Sequence, residues 1–318
     1  MKSIGKTCLL VSLLLLAWAG SLRAQSANTL FDISAGTRPL AMGGAFTGLA
    51  DDENALFYNA AGLALLDQAH LGSLLENHLG LASYGSAALG LKHLGLALRF
   101  FSLGNIERRD AQDNAAGSFG YSNLALTLGG GLRLNQLPLL QFIPSGLAMG
   151  LRLQFLRVST LAPGSGSGFA LDPSWLYDSG PLRLAGLQLR ALRLGLALDN
   201  LLNFGVGFGS GHREGLPLGA RLGFALLARS FSLDLDLGLH SGFHLGGEYR
   251  LALPLLSVRQ LALRLGIFDQ GVFSFTLGFG VQVFQGLQID YAFSSHPRLG
   301  LGGSHRLGFS YRFAFSPF

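Results

Sequence analysis

The stretch that decides the fold is 271–284, which reads GVFSFTLGFGVQVF. Large apolar side chains alternate there with small or polar ones: Phe273, Phe275, Leu277, Phe279, Val281 and Val283 stand opposite Ser274, Thr276, Gly278, Gly280 and Gln282. A period of two residues indicates a strand with one apolar face, whereas a helix would place Ser, Thr and Gln on every side. The stretch is uncharged, yet its alternation argues against a transmembrane helix.

The same alternation recurs in units of about ten residues, the length of a tilted strand that crosses a bilayer. We predict fourteen strands, near 69–76, 79–91, 94–104, 119–133, 146–159, 168–177, 187–199, 216–227, 231–240, 243–252, 259–268, 271–283, 286–294 and 304–315. One face of each is mainly Leu and Phe, and the other mixes small residues with isolated charges. The pattern predicts an all-β fold, a transmembrane antiparallel β-barrel over 69–318.

The composition agrees with a chain that exposes apolar surface. Of its 318 residues, 49% are hydrophobic and only 13% are charged, about half of the ~25% usual for soluble domains. The mean hydropathy is +0.40. These values argue against intrinsic disorder and against an ordinary water-soluble enzyme. A single cysteine argues against a disulfide-stapled fold.

The first 24 residues have the features of a cleaved secretory signal. Lys2 and Lys6 precede an uncharged, Leu-rich run over 7–22, which is shorter than the ~20 apolar residues of a membrane span. We predict cleavage after Ala24, with Ala19 as an alternative site, so Cys8 is lost. The charge then falls from +5 to 20 − 18 = +2, and the high isoelectric point does not indicate nucleic-acid binding.

An even number of strands places both chain ends on one side, the periplasm. The connections over 105–117, 160–168, 200–215 and 295–303 then lie outside, and tight turns at 92–93, 228–230 and 284–286 lie inside, as expected for such barrels. Two inside connections, 135–145 and 179–185, are longer than this rule predicts.

Residues 25–68 break the alternation. Over 49–67 the sequence predicts a short helix, with Asp51 or Asp52 as its N-cap and Gly62 at its end.

Both ends of the chain resemble a known family. Residues 36–46 read GTRPLAMGGAF, and ADD at 50–52, YN at 58–59 and AGL at 61–63 follow; near the carboxyl end, 289–293 read IDYAF and 302–307 read GGSHRL. These stretches resemble the PorV/PorQ-like outer-membrane proteins, relatives of FadL-type barrels. The resemblance implies a fourteen-stranded barrel whose lumen is occluded by an amino-terminal plug, here 25–68. Its plug motif is Gly36, Arg38, Met42, Gly43, Gly44, Asp51, Asp52, Asn59 and Gly62. Ala60 departs from the family, which usually has Pro after the Asn.

Charged residues on the small-residue faces should point into the lumen. By parity these are Arg152, Arg193, Arg221, Asp234, Asp236, Glu248, Arg250, Arg264, Asp290 and Arg312. They either form salt bridges that hold the barrel to the plug or line a path for a solute, and the sequence leaves both open. Arg38, Asp51 and Asp52 either pair with such charges, for example Arg193, Arg221 or Asp234, or only cap and orient the plug helix.

The last strand ends in alternating aromatic residues, Phe309, Tyr311, Phe313, Phe315 and Phe318. They resemble the terminal signal that the barrel-assembly machinery reads, and they also suit a lipid-facing aromatic girdle. His240 and His244 have the spacing of metal ligands on a helix, but a turn is predicted between them and no Cys or second carboxylate joins them. We therefore predict no metal, no cofactor and no enzymatic activity.

The function predicted from sequence is a FadL-like channel for passive uptake of small hydrophobic compounds. It would lie in the outer membrane of a Gram-negative-type bacterium. The alternative is a PorV-like component that does not transport but docks secreted proteins or secretion machinery, and a third hypothesis is a soluble periplasmic β-protein. The expected partners are outer-membrane lipid, the barrel-assembly machinery, and hydrophobic small molecules or secreted proteins, with no nucleic acid.

Overall fold

The computed structural model describes residues 30, 33–78, 80–161, 164–184, 186–253, 258–269, 271–295 and 303–315. The predicted signal peptide with Cys8, most of the 295–303 connection, and Phe318 lie outside the described residues. Within these ranges the strands are β1 (Ala69–His78), β2 (Ala82–Gly90), β3 (Leu94–Arg109), β4 (Ala115–Arg133), β5 (Leu147–Ser159), β6 (Gly166–Asp178), β7 (Leu182–Leu184), β8 (Leu187–Asp199), β9 (Leu202–Phe208), β10 (Arg213–Glu214), β11 (Gly219–Ala228), β12 (Phe231–Gly238), β13 (Gly242–Ala252), β14 (Gln260–Asp269), β15 (Phe273–Gln282), β16 (Leu287–Ser295) and β17 (Gly303–Phe313).

Fourteen of these strands form a closed antiparallel ring. Each pairs with the next along the chain, and β17 returns to pair with β1 from Ala69↔Phe313 to Glu76↔Arg306. Closure gives every wall strand two neighbours, so the ring has no open edge. All fourteen predicted strands are present, and the predicted barrel is confirmed. We call the end where β1 begins and β17 ends the terminus end, and the opposite end the loop end.

Three short strands were not predicted: β7, β9 and β10. β7 forms a hairpin with β8 at the terminus end, which accounts for the long connection over 179–185. At the loop end, β9 pairs with the first half of β6 and with β10, while β8 pairs with the second half of β6. All three lie in connections and are too short to carry the ten-residue alternation used for the prediction.

The outer face of the ring is an apolar belt. Its Leu and Phe side chains are exposed on strands all around the wall: Leu96, Leu128, Leu153, Leu194, Phe224, Leu233, Leu245, Leu265, Leu277 and Leu307. Leu265, for example, is 62% exposed. The inward face of the same strands carries Gly, Ala and most of the buried charges. One sheet therefore separates apolar from polar side chains by the period of two alone.

From residue 33 to the start of β1, the structure has short helical elements only: Thr37–Ala41, Ala55–Tyr58 and a 3-10 helix at Ala60–Leu65. None of the helices among the described residues has the length and apolar character needed to cross a membrane. The helix expected over 49–67 is therefore reduced to one α-turn and one 3-10 segment. Its N-cap is Asn54 instead of Asp51 or Asp52, and Gly62 lies within the 3-10 helix instead of ending an α-helix.

Candidate functional site

The segment before β1 fills the interior of the ring. Residues 33–66, which we call the inner segment, are almost entirely buried, and Phe46, Leu49 and Leu56 have no exposed surface. The wall approaches the inner segment most closely through glycines on nine strands: Gly72, Gly129, Gly150, Gly195, Gly223, Gly246, Gly266, Gly278 and Gly308. Because these strands are distributed around the ring, the inner segment lies inside the barrel.

The wall glycines let two backbones touch. A Cβ added at Gly150 would lie 2.2 Å from the backbone nitrogen of Ala61. At Gly43 the glycine is in the inner segment and the backbone that it approaches is in the wall. Gly43 has a φ of 69°, and its added Cβ would lie 3.0 Å from the carbonyl oxygen of Ile267. That backbone conformation is unfavourable for residues with a Cβ. Gly43 and Gly44 of the plug motif thus lie in a turn against the wall.

Arg38 is the main charged contact between the inner segment and the wall. Its Nε and Nη2 donate to the two oxygens of Glu248 on β13, at 3.0 Å each. Its Nη1 donates to Asp51 at 2.6 Å and to Asp52 at 2.7 Å. The guanidinium also lies 5.2 Å from the ring centroid of Phe46. One buried cation therefore fixes two parts of the inner segment to one wall strand.

The network continues along the wall. Glu248 also contacts Arg250 at 2.6 Å and Arg264 at 2.7 Å, and Arg264 contacts Asp290 on β16 at 2.6 Å. Arg38, Glu248 and Arg264 are all buried. Buried charges are tolerated when they are paired and hydrogen-bonded, and here each carboxylate faces at least one guanidinium.

The network shifts the acidity of inner-segment groups. Burial alone would raise the pKa of Asp51, but the charges of Arg38, Arg250 and Arg193 outweigh it and lower the pKa to about 2. Burial would lower the pKa of Arg38, but Asp51, Glu248 and Asp52 raise it well above its usual value. Both groups are therefore charged at neutral pH.

Two further wall carboxylates bind the inner-segment backbone. Asp236 on β12 accepts hydrogen bonds from the backbone nitrogens of Phe46 at 3.0 Å and Thr47 at 2.9 Å. Asp234, two residues earlier, accepts one from the nitrogen of Leu49 at 3.0 Å. The residues 46–49 make no helix or strand, so these carboxylates satisfy backbone donors that would otherwise be buried without partners.

A second network lies across β5, β6, β8 and β11. Arg152 contacts both Asp172 and Asp199, and Asp199 also contacts Arg221 at 3.2 Å. Arg221 donates to the carbonyl oxygen of Phe57 at 3.3 Å. The wall charges on this side of the lumen thus also reach the inner segment.

The ten predicted lumen charges all lie on the inward face or at its rim. Arg152, Asp234, Asp236, Glu248, Arg264 and Asp290 are buried, Arg193, Arg221 and Arg250 are half-buried and ion-paired, and Arg312 is exposed at the terminus end. The inward charges that were missed include Glu76, Arg99, Arg133, Asp172, Asp178, Asp199 and Arg306. Parity alone would have identified Arg99, which lies between the outward Leu98 and Phe100. Glu76 and Asp172 lie in strands with weak alternation.

The remaining plug-motif residues have structural partners. Asp51 and Asp52 pair with Arg38 and not with Arg193 or Arg221. Arg193 instead pairs with Asp178 at 2.7 Å and donates to the carbonyl oxygen of Leu49 at 2.6 Å. Asn59 donates to the carbonyl oxygens of Thr47 and Trp175, and Met42 is fully buried. Gly36 has a φ of 82°, and a Cβ added at Gly62 would lie 2.0 Å from the carbonyl oxygen of Ala50.

A polar cleft lies beside the inner segment near the terminus end. It is lined by Thr37, Arg38, Asp52, Glu53, Asn54, Ser73, Gln288, Asp290, Phe309, Ser310 and Arg312, and its volume of about 10 Å³ is close to the space of one water molecule. Burial and the charge of Asp52 raise the pKa of Glu53, against the opposing effect of His70. In this arrangement the cleft has no room for an organic solute.

The two histidines considered as metal ligands contact the backbone. The ring of His240 lies 2.9 Å from the carbonyl oxygen of Leu218, and that of His244 lies 2.7 Å from the carbonyl oxygen of Gly43. Across the described ranges, no three His, Cys, Asp or Glu side chains are grouped so that they could hold a metal ion. His244 therefore adds another contact between wall and inner segment.

The terminal aromatic residues are on the outside of the ring. Phe309 and Tyr311 are 49% and 41% exposed on β17, and Phe315 is 49% exposed just after it. Phe313 is half-buried at the end of the strand. Their outward placement is consistent with an aromatic girdle, and recognition of these residues by the barrel-assembly machinery stays a prediction.

Comparisons with known proteins identify the fold. No protein-family model matches the chain and no curated protein matches it, so the resemblance to PorV/PorQ-like proteins stays a prediction. Solved structures do match. The toluene transporter TbuX of Ralstonia pickettii is 13% identical, with a TM-score of 0.57 over 90% of this chain and 100% of that one. The TodX monoaromatic hydrocarbon channel, as a deltaS2 mutant, is 13% identical, with a TM-score of 0.57 over 89% and 99%. A FadL homologue of Pseudomonas aeruginosa is 12% identical, with a TM-score of 0.51 over 88% and 99%. The fold is thus that of FadL-type barrels.

Proposed function

We propose that the protein is an outer-membrane channel for passive uptake of small hydrophobic compounds. The observation that carries the proposal is a closed barrel with an apolar outer belt and a lumen filled by a segment of its own chain. The belt suits lipid, because each wall strand is paired with a strand on either side and the large exposed side chains of the belt are apolar. The likeness to transporters of toluene and monoaromatic hydrocarbons supports the solute class.

Passage through this barrel requires the inner segment to move. Its residues occupy the lumen, and the cleft beside it is about the size of one water molecule. Much of its attachment is polar, through Arg38, Asp234 and Asp236. Polar contacts exchange for contacts with water at a limited net cost, about 1.5–3 kcal/mol for a hydrogen bond to a charged group such as these. A partial displacement of the inner segment is therefore the step that opens the channel.

A reversible disulfide tests this proposal. Ala60 lies in the inner segment, and a Cβ added at Gly129 on β4 would lie 3.8 Å from the Ala60 Cβ, within the 3.5–4.5 Å of disulfides; its nearest neighbour is the flexible end of the Leu56 side chain. Cys8 is the sole cysteine of the sequence and belongs to the predicted signal peptide. The double variant Ala60→Cys/Gly129→Cys would thus carry one pair that oxidation can lock and a reductant can release.

The assay is uptake of radiolabelled toluene by Gram-negative cells that express the protein, because their lipopolysaccharide leaflet is the barrier that a channel would bypass. Expression of the wild type should raise the initial uptake rate above that of cells with empty vector. The oxidised double variant should lose this gain and regain it after reduction, while the two single-cysteine variants respond to neither treatment. Uptake equal to the empty-vector cells would reject the channel and leave the docking alternative.

A further inference from the structure

The two ends of the barrel differ in charge. Among the described residues at the terminus end, six exposed side chains are basic, Lys92, Arg183, Arg190, Arg229, Arg259 and Arg312, and one, Asp67, is acidic. At the loop end the exposed bases Arg108, Arg109, Arg157 and Arg213 are nearly balanced by the acids Glu107, Asp110 and Asp113. The excess positive charge of the outer surface is therefore concentrated at the terminus end.

Half of those six bases lie together. Arg183 on β7 is paired in register with Gln188 on β8, and Arg190 follows Gln188 by two residues along the same strand. On the other side of β8, Ala228 of β11 pairs with Leu189, and Arg229 follows Ala228. The set Arg183, Arg190 and Arg229, which we call the arginine cluster, thus spans three neighbouring strands, a width of about 10 Å at the usual strand spacing.

The arginine cluster faces outward below the apolar belt. In the β7–β8 hairpin the row Leu182 and Leu189 forms one face, and Leu189 is buried, so Arg183 lies on the opposite, outer face. Arg190 is exposed between the buried Leu189 and Ala191, and the next residues outward along β8 are the belt residues Leu192 and Leu194. The cluster therefore lies where the belt ends.

None of the three guanidiniums has a partner within the part of the chain that the structure describes. Asp178, the acidic residue that ends β6 just before β7, is paired with Arg193. Three exposed guanidiniums without a carboxylate partner leave their N–H donors free to bind an anion from outside the chain. Guanidinium groups bind phosphate oxygens in a bidentate way.

The connection between β4 and β5 places apolar groups at the same end. This connection contains the 3-10 turns Leu134–Gln136 and Pro138–Leu140. Leu139 lies in the second turn and is 87% exposed, and Phe142 follows that turn and is 83% exposed. The described connection from 134 to 146 has no charged residue. Exposed Leu and Phe beside a basic rim are the pattern of a surface that enters the head-group region of a bilayer.

We propose that the arginine cluster binds the phosphate head group of an anionic phospholipid in the leaflet at the terminus end. The inference rests on the proposed membrane location, since the lipid reaches the cluster only if the belt contacts acyl chains. Acyl chains would lie against Leu192 and Leu194 while the phosphate faces Arg183 and Arg190. A head group with two phosphates, as in cardiolipin, matches the width of the cluster.

The test is native mass spectrometry of the full mature protein in detergent, titrated with cardiolipin, phosphatidylglycerol and phosphatidylcholine of matched chain length. The wild type should retain the anionic lipids preferentially. The triple variant Arg183→Gln/Arg190→Gln/Arg229→Gln should lose about fivefold of affinity per arginine, roughly a hundredfold in all, because each basic residue near anionic lipid contributes about 1 kcal/mol. Phosphatidylcholine binding should not change.

The matched control removes three charges at the loop end, with Arg108→Gln/Arg109→Gln/Arg213→Gln, and should retain the preference for anionic lipid. An equal loss in both triple variants would show a net-charge effect and overturn the proposal. Displacement of cardiolipin by millimolar inorganic phosphate would make the cluster a site for free anions and also overturn it. A wild type that binds detergent and lipid without preference refutes only this inference, whereas a wild type that stays in solution without amphiphile refutes the membrane location itself.

Discussion

Replacement of Arg38 by methionine tests whether ion pairs hold the inner segment in the lumen. The side chain is 6% exposed and contacts Glu248, Asp51 and Asp52. Methionine keeps much of the aliphatic volume and removes the charge, which leaves three carboxylates with one cation fewer. Glu248 retains Arg250 and Arg264, whereas Asp51 and Asp52 lose the guanidinium that they share.

Removal of one partner from a buried ion pair costs about 3–5 kcal/mol. Because Glu248 keeps two guanidiniums, we expect the lower end of this range, about 3 kcal/mol, in the free energy of unfolding. The measurement is urea unfolding of the folded barrel in lipid vesicles, followed by fluorescence. The same variant should raise the uptake rate of toluene, since the inner segment is then released more readily.

Arg109→Met is the matched control. Arg109 also contacts two carboxylates, Glu107 and Asp113, but its side chain is 51% exposed, so its loss should cost at most about 1 kcal/mol. In a double-mutant cycle, Arg38→Met and Glu248→Gln should show a coupling energy of about 1–3 kcal/mol. If Arg38→Met destabilises the barrel no more than Arg109→Met, the polar network does not anchor the inner segment and the reasoning fails.

Three further predictions follow from single contacts. Asp51→Asn should lower the free energy of unfolding by about 1–2 kcal/mol at pH 7, because the lowered pKa of Asp51 adds stability above the unfolded value of about 3.9; a pH titration should show this difference vanish as the pH falls toward 2. Gly150→Val should lower the free energy of unfolding in urea by about 1–3 kcal/mol, because its Cβ would meet backbone atoms of the inner segment. Gly104→Val, which has open space around the added Cβ, should leave that free energy nearly unchanged. Phe142→Trp, made in a Trp175→Phe background, should be quenched by brominated lipid more than by aqueous iodide, and the reverse order would place the β4–β5 connection in water.

The wall was predictable because each of its strands has two different environments. Outward-facing and lumen-facing residues alternate, so Leu and Phe mark one face and Gly and charge mark the other, and a slip of one residue reverses them. This local signal gave the number of strands and most inward charges. It failed where a strand lies beyond the belt, as in β7 and β9, because neither face of such a strand needs to be apolar throughout.

The interior was less predictable because its contacts are long-range. Arg38 and Glu248 lie 210 residues apart, and no local pattern pairs them. The helix expected over 49–67 failed for the same reason. Wall side chains, Asp234 and Asp236, bind backbone nitrogens over 46–49, and the short turns after them pack against wall glycines. Tertiary contacts here decide the backbone conformation against local propensity.

The wall therefore does two separate things for the segment that it encloses. Its glycines, such as Gly150 and Gly266, bring backbone against backbone, which fixes the position of the inner segment by shape. Its carboxylates satisfy the donors of an irregular chain, which makes that position stable without a helix or strand. The close backbone contacts exist only while the inner segment occupies this position. Each polar group that a displacement releases, by contrast, can be hydrated by water that enters the lumen. Release of a segment attached in this way breaks none of the pairings between wall strands, because the fourteen strands of the ring pair with one another and not with the inner segment.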